Sequence, residues 1–325
     1  MKSILSLGEA LIDFVPEENG KALKDVHSFV KAPGGAPANV AAAVAKLGGN
    51  VSFIGKVGND GFGKFLIETL DQAGVKTDKV FTTNDALTSL AFVSLKEDGE
   101  RDFSFYRDPA ADQLLNSEEL QNAWFEGEGL FHFGSVSQTM EPCKSATSRA
   151  VELALAGGMI VSYDPNVRLQ LWSSAAEAKE TILNTIPYAH LIKISEEECF
   201  FLTGEQDENK AVRQLIAGNV KALLITKGEK GSTLHTKSSS IHVPSIQVKP
   251  VDTTGAGDAF VGGLLFGLSQ QNQTFETIID NEEIIKEILV FANACGALTT
   301  MKRGAILALP SQEEVKELIL KKKVG

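Results

Sequence analysis

Short apolar runs alternate with amphipathic or alanine-rich segments along most of the chain. The apolar runs predict strands at residues 3–8, 51–55, 129–133, 159–163, 190–194 and 221–226. The longer segments predict helices at residues 40–47, 64–73, 143–156, 175–185, 259–268, 288–300 and 311–322. Strands that alternate with helices usually pair in parallel and are buried on both faces. We therefore predict an α/β fold in which helices sandwich a mostly parallel sheet.

Two segments depart from this alternation. Residues 12–32 are polar and turn-rich with weak strand character, and residues 88–107 hold two β-rich runs around the polar turn at 96–100. The second segment predicts a hairpin, and the two together predict a small β-sheet that projects as a lid over a site. Without an interdomain linker or a repeat, residues 1–325 are expected to form one domain. Residues 276–287 look like an acidic linker.

One glycine-rich stretch stands immediately before an almost wholly apolar segment. It reads Asp252-Thr253-Thr254-Gly255-Ala256-Gly257-Asp258-Ala259-Phe260. The glycines let backbone N–H groups converge at the positive end of the following helix, which suits a phosphate or developing negative charge. Asp258 is the only ionisable residue between Gly255 and Leu268. It is either an acidic helix-start residue or a catalytic base.

A second loop precedes an alanine-rich helix and reads Pro33-Gly34-Gly35-Ala36-Pro37-Ala38-Asn39. Its two glycines allow a ligand to approach the main chain, and the Asn39 amide can both donate and accept hydrogen bonds. A plain loop with a helix cap is the alternative interpretation.

Further polar residues gather at or just beyond the carboxyl ends of predicted strands. They are Asp164, Asn166, Arg168, Lys193, Ser195, Glu198 and Thr226. Ligands of open α/β sheets bind at that edge. Each residue alone is more often an ordinary loop residue, but together they outline a site.

Charge and composition narrow the class of protein. A net charge of −11 argues against nucleic acid or an anionic membrane as a general partner. No stretch approaches the roughly 18 apolar residues of a membrane span, and the first apolar run is too short for a signal peptide. The three cysteines are widely separated and suggest reduced thiols, so we expect a cytoplasmic protein.

The two glycine-containing stretches, in this order and spacing, resemble the signatures of the ribokinase-like (PfkB) family of carbohydrate kinases. The resemblance covers essentially the whole chain and is greatest to the fructokinases of that family. Residues 105–112, 162–169, 193–198 and 201–204 also carry it. It implies a ribokinase-like fold and ATP-dependent phosphorylation of a primary sugar hydroxyl, as in fructose to fructose 6-phosphate.

The resemblance also implies roles for individual residues. Asp258 would be the general base, and the backbone of Gly255, Ala256 and Gly257 would hold the charge of the transferring phosphoryl group. The implied sugar-binding residues are Asp13, Gly34, Gly35, Asn39, Arg107, Arg168 and Asp258 itself. The implied nucleotide-binding residues are Lys193, Ser195, Thr226, Gly228, Gly231, Gly257 and Asn293.

The same resemblance implies that the protein uses two cations. The family's Asn-x-x-Glu motif near Mg²⁺ is Ser195-Glu196-Glu197-Glu198 here. Glu198 keeps the acid and would act on Mg²⁺ indirectly, while the shorter Ser195 is expected to alter contacts around Mg²⁺ and phosphate without loss of activity. Asp252 and Thr254, with Gly304, match a site for a monovalent cation such as K⁺. The positive charge of Lys302 beside Arg303 leaves potassium dependence open.

Two other functions stay open. A 2-keto-3-deoxygluconate kinase would use Arg107 and Arg168 to bind the carboxylate of its substrate. A non-catalytic sugar-sensing relative is disfavoured because Gly255, Gly257 and Asp258 are all intact. The resemblance, and the apolar face that a projecting sheet would expose, further predict a homodimer formed through the lid.

Overall fold

A nine-stranded sheet forms the centre of the computed structural model, which describes residues 1–18, 20–95, 101–127 and 129–324. In spatial order its strands are β13 (Ser240–Val243), β12 (Ser232–His235), β11 (Ala222–Thr226), β10 (Leu191–Ser195), β9 (Ile160–Asp164), β8 (Gly129–Gly134), β1 (Ser3–Leu7), β4 (Val51–Gly58) and β5 (Lys76–Thr83). All neighbouring pairs from β11 to β5 are parallel, and β12 and β13 add an antiparallel edge. The mostly parallel sheet predicted from the sequence is confirmed.

Helices cover both faces of this sheet. They are α1 (Ala36–Lys46), α2 (Gly61–Gln72), α3 (Cys143–Ala156), α4 (Ala175–Thr185), α5 (Glu196–Thr203), α6 (Glu208–Leu215), α7 (Ala256–Ser269), α8 (Phe275–Asp280), α9 (Glu282–Thr299) and α10 (Gln312–Val324). Successive residues of a strand point to opposite faces of the sheet. In β1, Ile4 belongs to the hydrophobic core under α1, α7 and α9, and Leu5 to the core under α3 to α6. Within the described residues, no helix is both long and apolar enough to cross a membrane.

Helix α7 lies very close to its neighbours because it has glycines where they meet. A Cβ atom at Gly262 would lie 2.4 Å from the Cβ of Ala43 on α1. At Gly263 it would lie 2.8 Å from the Cys295 sulfur on α9. Real Cβ atoms do not approach so closely, so these glycines set how near α7 lies to α1 and α9.

The small sheet predicted from two chain segments is also present. Its order is β3 (Phe29–Gly34), β2 (Leu11–Pro16), β6 (Leu90–Leu95) and β7 (Arg101–Tyr106). Two antiparallel pairs, β2–β3 and β6–β7, join through parallel pairing of β2 with β6. Phe14 stacks on Phe92 with ring centroids 4.9 Å apart and contacts Phe62 of α2 edge-on, which anchors this sheet to the body. The turn predicted at residues 96–100 lies outside the described residues.

The acidic linker expected at residues 276–287 is wrong, because helices α8 and α9 occupy that segment. The side chain of Asn281 separates them by accepting hydrogen bonds from the backbone N–H groups of Glu283 and Ile284, which makes it the N-cap of α9. The acidic residues lie on the solvent side, while Ile278 and Ile285 are buried one heptad apart. An amphipathic pattern was therefore mistaken for a charged linker.

Candidate active site

A cavity of about 200 Å³ lies where the small sheet, the start of α1, the start of α7 and the carboxyl ends of β9 and β10 meet. Its lining residues are Glu9, Leu11, Asp13, Gly35, Ala36, Asn39, Phe105, Val136, Asn166, Arg168, Leu171, Lys193, Thr253, Thr254, Gly255, Gly257 and Asp258. A larger groove of about 440 Å³ runs along α3, but it is open and includes the exposed Arg149 and Glu152. The smaller cavity is the candidate site because buried polar groups converge there.

Asp258 is the third residue of α7, which begins three residues earlier than the sequence predicted. The residue is only 9% exposed, and Asn39 donates a hydrogen bond to its carboxylate at 2.8 Å from Nδ2 to Oδ2. Burial raises the pKa of Asp258 to about 6, against the lowering effect of the Asn39 bond. A carboxylate with such a pKa is ionised at neutral pH and still basic enough to accept a proton.

The backbone before Asp258 bends through Gly255, which has a φ of +74° and is the N-cap of α7. A Cβ atom there would lie 2.9 Å from the Cβ of Ala305, so conformation and space both require glycine. The Ala256 N–H donates a long hydrogen bond of 3.3 Å to the carbonyl of Thr253. The charge-holding role of Gly255, Ala256 and Gly257 stays a prediction, and the positive end of α7 favours it.

The predicted sugar loop lies opposite this helix start. Gly35 is the N-cap of α1 and lines the cavity together with Asp13 and Asn39. Gly34 lies behind them, where a Cβ atom would overlap the Asp13 carboxylate. The structure thus brings these four predicted residues together, although 26 positions separate the first from the last.

The two predicted arginines have different surroundings. Arg168 lines the cavity and lowers the pKa of Asp258 through its charge. Arg107 is buried beside the cavity, where its Nε donates to the Asp112 carboxylate at 2.8 Å and its Nη1 to the Thr139 hydroxyl at 3.1 Å. The Ser89 hydroxyl donates to the other oxygen of Asp112. The Asp112 carboxylate therefore links the residue before β6 to the residue after β7. Direct sugar contact by Arg107 stays a prediction, and its bonds favour a supporting role.

Lys193 brings a positive charge close to the start of α7. Its ammonium donates to Asp164 at 3.0 Å and lies 3.4 Å from where a Cβ atom of Gly257 would be. Burial disfavours the charge of Lys193, but Asp164, Glu198 and Asp258 more than compensate, so its pKa is raised. The charged Lys193 is suited to binding a phosphate near Gly257, as predicted for the nucleotide.

Ser195 and Glu198 form a capping box at the start of α5. The Ser195 hydroxyl accepts from the Glu198 N–H at 3.1 Å, and the Glu198 carboxylate accepts from the Ser195 N–H at 2.8 Å. The other carboxylate oxygen of Glu198 accepts from the Val167 N–H at 2.7 Å, and this bond fixes the loop that carries Arg168. The Ser-x-x-Glu spacing is itself the sequence signal of a capping box, although this cap was not among the predictions.

The described residues contain no group of three or more His, Cys, Asp or Glu side chains that could hold a metal ion. Mg²⁺ often binds through one or two carboxylates together with phosphates and water. Because backbone N–H groups occupy both Glu198 oxygens, the arrangement fits a magnesium ion that arrives with a nucleotide and contacts Glu198 only indirectly.

The predicted residues of the monovalent-cation site come together from distant parts of the chain. One oxygen of Asp252 accepts from the backbone N–H and the hydroxyl of Thr254, at 3.0 and 2.7 Å. The other accepts from the Gly304 N–H at 3.0 Å. This oxygen-rich cluster adjoins Gly255, and its oxygens are the ligand type that hard cations take. Cation binding there stays a prediction.

Four of the predicted nucleotide residues, Thr226, Gly228, Gly231 and Asn293, lie outside the cavity lining. The Thr226 hydroxyl, at the end of β11, donates to the Ile194 carbonyl at 3.3 Å. Gly228 and Gly231 form the turn that follows, with φ values of +55° and +101°. The amide of Asn293 on α9 donates to the Val243 carbonyl at 3.2 Å. A nucleotide role for these four residues stays a prediction.

Comparisons with known proteins agree with this geometry. The family model described as "pfkB family carbohydrate kinase" matches residues 1–312. "Probable fructokinase-4" of Arabidopsis thaliana is 47% identical over 97% of this chain and 96% of its own length. "Fructokinase-2" of Zea mays is 48% identical over 98% of this chain and 94% of its own length.

Solved structures show the same likeness. A fructokinase with bound ATP from Xylella fastidiosa is 40% identical, with a TM-score of 0.91 over 99% of both chains. A double mutant of fructokinase from Vibrio cholerae O395, bound to fructose, ADP and a potassium ion, is 36% identical, with a TM-score of 0.89 over 98% of both chains. The predicted ribokinase-like fold is confirmed, and the chain belongs to the pfkB family of carbohydrate kinases.

Proposed function

We propose that this chain is a fructokinase that transfers the γ-phosphoryl group of ATP to the 6-hydroxyl of fructose. The observation that carries the proposal is Asp258, a buried carboxylate with a raised pKa that faces the sugar loop from the start of α7. Relatives that bear the name fructokinase match nearly the full length of the chain, at 47–48% identity.

In the proposed reaction Asp258 accepts the proton of the sugar hydroxyl as the phosphoryl group leaves ATP. The amide of Asn39 holds the carboxylate in place, so that one oxygen is directed toward the substrate. Phosphoryl transfer depends mainly on positioning and charge stabilisation. In this proposal Lys193 and the backbone amides of Gly255–Gly257 offset the charge of the transferring group.

The proposed cations act beside this centre. Mg²⁺ bound to the nucleotide would offset phosphate charge, with Glu198 acting at a distance through the backbone it holds. The proposed potassium site is formed by Asp252, Thr254 and Gly304, directly before the anion-binding turn. Support comes from a Vibrio cholerae fructokinase structure that contains a potassium ion and another that contains calcium.

The charges of the cavity favour a neutral sugar over a keto acid. Glu9, Asp13 and Asp258 all line it, so a substrate carboxylate would be close to these acidic groups, while the charge of Lys193 is already bonded to Asp164. Arg107, one of the two arginines expected to bind such a carboxylate, is already paired with Asp112. Arg168 is therefore the one proposed arginine partner within the cavity lining.

A sugar panel tests the proposed function. Purified protein is assayed with ATP and Mg²⁺ through coupled ADP release, and fructose is expected to have the highest kcat/KM. Good turnover of 2-keto-3-deoxygluconate with negligible turnover of fructose would overturn the proposal. Sugar binding without any turnover would instead favour the sensing alternative.

The proposed assembly is a homodimer formed through the small sheet. The face of β2 and β3 that includes cavity-lining Asp13 continues outward to Val30, which is 54% exposed. Light scattering at micromolar concentration should report a dimer, and Val30→Asp should dissociate it. Leu320→Asp is the control, since Leu320 is 62% exposed on α10, away from this sheet. A monomeric wild type contradicts the proposal.

The proposed location is the cytoplasm. All three cysteines are free and buried, which agrees with a reducing compartment. A relative named "Probable fructokinase-6, chloroplastic" is 49% identical, so detection of the protein in cell fractions is the appropriate test.

A further inference from the structure

Glu9 has a buried oxygen atom that the proposed mechanism does not use. The residue follows β1 and is 4% exposed, yet it lines the cavity beside Asp13 and Asn39. Its Oε1 accepts a hydrogen bond from the backbone N–H of Ala36 at 2.9 Å, which orients the carboxyl group at the start of α1. Its Oε2 is buried and has no hydrogen-bond partner among the described residues.

Buried polar atoms nearly always have a partner, so an unpaired one in a cavity wall indicates a missing ligand or water. Asn39 gives the same indication, because its Oδ1 is also buried without a partner in the described chain while its amide nitrogen bonds Asp258. Two unpaired oxygens thus belong to residues that line one cavity. The torsion that turns a carboxyl group is soft, so a small rotation that keeps Oε1 within reach of the Ala36 N–H can align Oε2 with a group that enters.

A sugar hydroxyl is the chemical partner that suits this oxygen. Arg107 and Asp112 are the charged groups that act on Glu9 from nearby, and they are bonded to each other. Burial raises the pKa of Glu9 to about 7, so both protonation states of the carboxyl group exist near neutral pH. A hydroxyl can donate to the ionised form or accept from the protonated one.

We propose that Glu9 is a sugar-contacting residue whose Oε2 bonds a hydroxyl of the sugar other than the one that is phosphorylated. This inference rests on the proposed function and extends it to sugar selection. A sugar without the contacted hydroxyl leaves a buried carboxyl oxygen unpaired and is rejected for that reason.

The test measures sugar binding by calorimetry without nucleotide, in the wild type and in Glu9→Gln. Glutamine can retain the bond to the Ala36 N–H and changes only the unpaired oxygen into an amide nitrogen. The matched control is Glu119→Gln, because Glu119 also accepts a backbone N–H, from Asn116 at 2.8 Å, but lies outside the cavity lining. The ligands are fructose, its 1-, 3- and 4-deoxy forms, and 2,5-anhydromannitol, which lacks the 2-hydroxyl.

Glu9→Gln is expected to weaken fructose binding about 5- to 20-fold, while Glu119→Gln leaves it unchanged. For one analogue the wild type and Glu9→Gln should bind equally, and that analogue identifies the contacted hydroxyl. If Glu9→Gln loses the same affinity for fructose and for every analogue, Glu9 only supports the loop and the inference is overturned. The inference is also overturned if Glu9→Gln loses no affinity for fructose. Failure of the wild type to bind any of these sugars overturns it as well.

The inference and the proposed function fail in different measurements. If fructose binds but ADP release is absent, the kinase proposal fails while the binding comparison still decides the role of Glu9. If fructose is phosphorylated but Glu9→Gln binds every analogue as the wild type does, the kinase proposal stands and the role of Glu9 is rejected.

Discussion

The starts of α5 and α7 carry an acidic residue at the same helical position but use it differently. Glu198 and Asp258 are each the third residue of their helix. Glu198 bonds back to the N-cap and across to Val167, so both of its oxygens stabilise backbone. Asp258 follows a glycine N-cap that has no side chain, and it bonds the amide of Asn39. The N-cap residue thus decides whether an acid at this position caps the helix or is available for chemistry.

The largest expected effect comes from removing the carboxylate of Asp258. Asp258→Asn should lower kcat by about 10³-fold, because asparagine retains the shape of the side chain but cannot act as the base. The affinity for fructose should change much less. Glu198→Gln makes the same chemical change at the equivalent position and should lower kcat by less than about tenfold. Steady-state kinetics and calorimetry measure both. A near wild-type kcat for Asp258→Asn would refute its assignment as the base.

The same substitution should stabilise the protein. The folded-state pKa of Asp258, about 6, exceeds its usual value of 3.8, so folding disfavours the ionised form. This cost is fully present above about pH 6 and disappears as the pH falls toward 4. Asp258→Asn should therefore raise the free energy of unfolding by about 1–3 kcal/mol at pH 7, and by less at pH 4.5. Denaturant titrations at the two pH values measure the free energy of unfolding of both proteins. An equal increase at pH 7 and pH 4.5 would show that ionisation of Asp258 is not its cause.

The kcat/KM of the enzyme should depend on the protonation state of Asp258. Protonation of Asp258 removes the proton acceptor, so kcat/KM should fall about tenfold per pH unit below a midpoint near pH 6. The profile is measured in the wild type and in Glu9→Gln, because Glu9 is the other cavity carboxyl with a raised pKa, about 7. A midpoint that disappears in Glu9→Gln would assign the titration to Glu9 instead.

The glycine N-cap of α7 should tolerate no side chain. Gly255→Ala adds left-handed backbone strain and a clash with Ala305, and should cost about 2–3 kcal/mol of stability as well as activity. Gly48→Ala is the control, since Gly48 has a φ of +88° with open space around it and should lose only about 1 kcal/mol. Thermal unfolding of both variants measures the difference. Equal losses would mean that crowding at Ala305 has no effect.

The smallest effect should come from the cap of α5. Ser195→Ala removes one side of the capping box and should lower the free energy of unfolding by about 1 kcal/mol. ATP affinity should change less than about threefold if the serine only caps the helix, and kinetics with ATP as the varied substrate decide this. A large rise in the KM for ATP without lost stability would favour the nucleotide contact predicted from the sequence.

Sequence alone predicted the parts of the molecule whose pattern is local. Buried strands such as β8 are continuous apolar runs, and the glycines around Asp258 mark the turn at which α7 begins. The edge strand β5 was missed because its residues are partly exposed and mostly polar, and so were β12, β13 and α6. The Arg107–Asp112 pair and the unpaired oxygen of Glu9 depend on tertiary contacts that no spacing in the sequence encodes.

The absence of a side chain at Gly262 has a consequence beyond packing. Ala43 lies in the helix that also carries Asn39, and Gly262 lies one turn after Asp258. Because no Cβ atom stands between α7 and Ala43, α1 and α7 lie close together on the side where the Asn39 amide donates to the Asp258 carboxylate at 2.8 Å. A side chain at Gly262, which does not line the cavity, would displace the Asp258 carboxylate from the Asn39 amide, so the geometry of the candidate site depends on packing in the apolar interior.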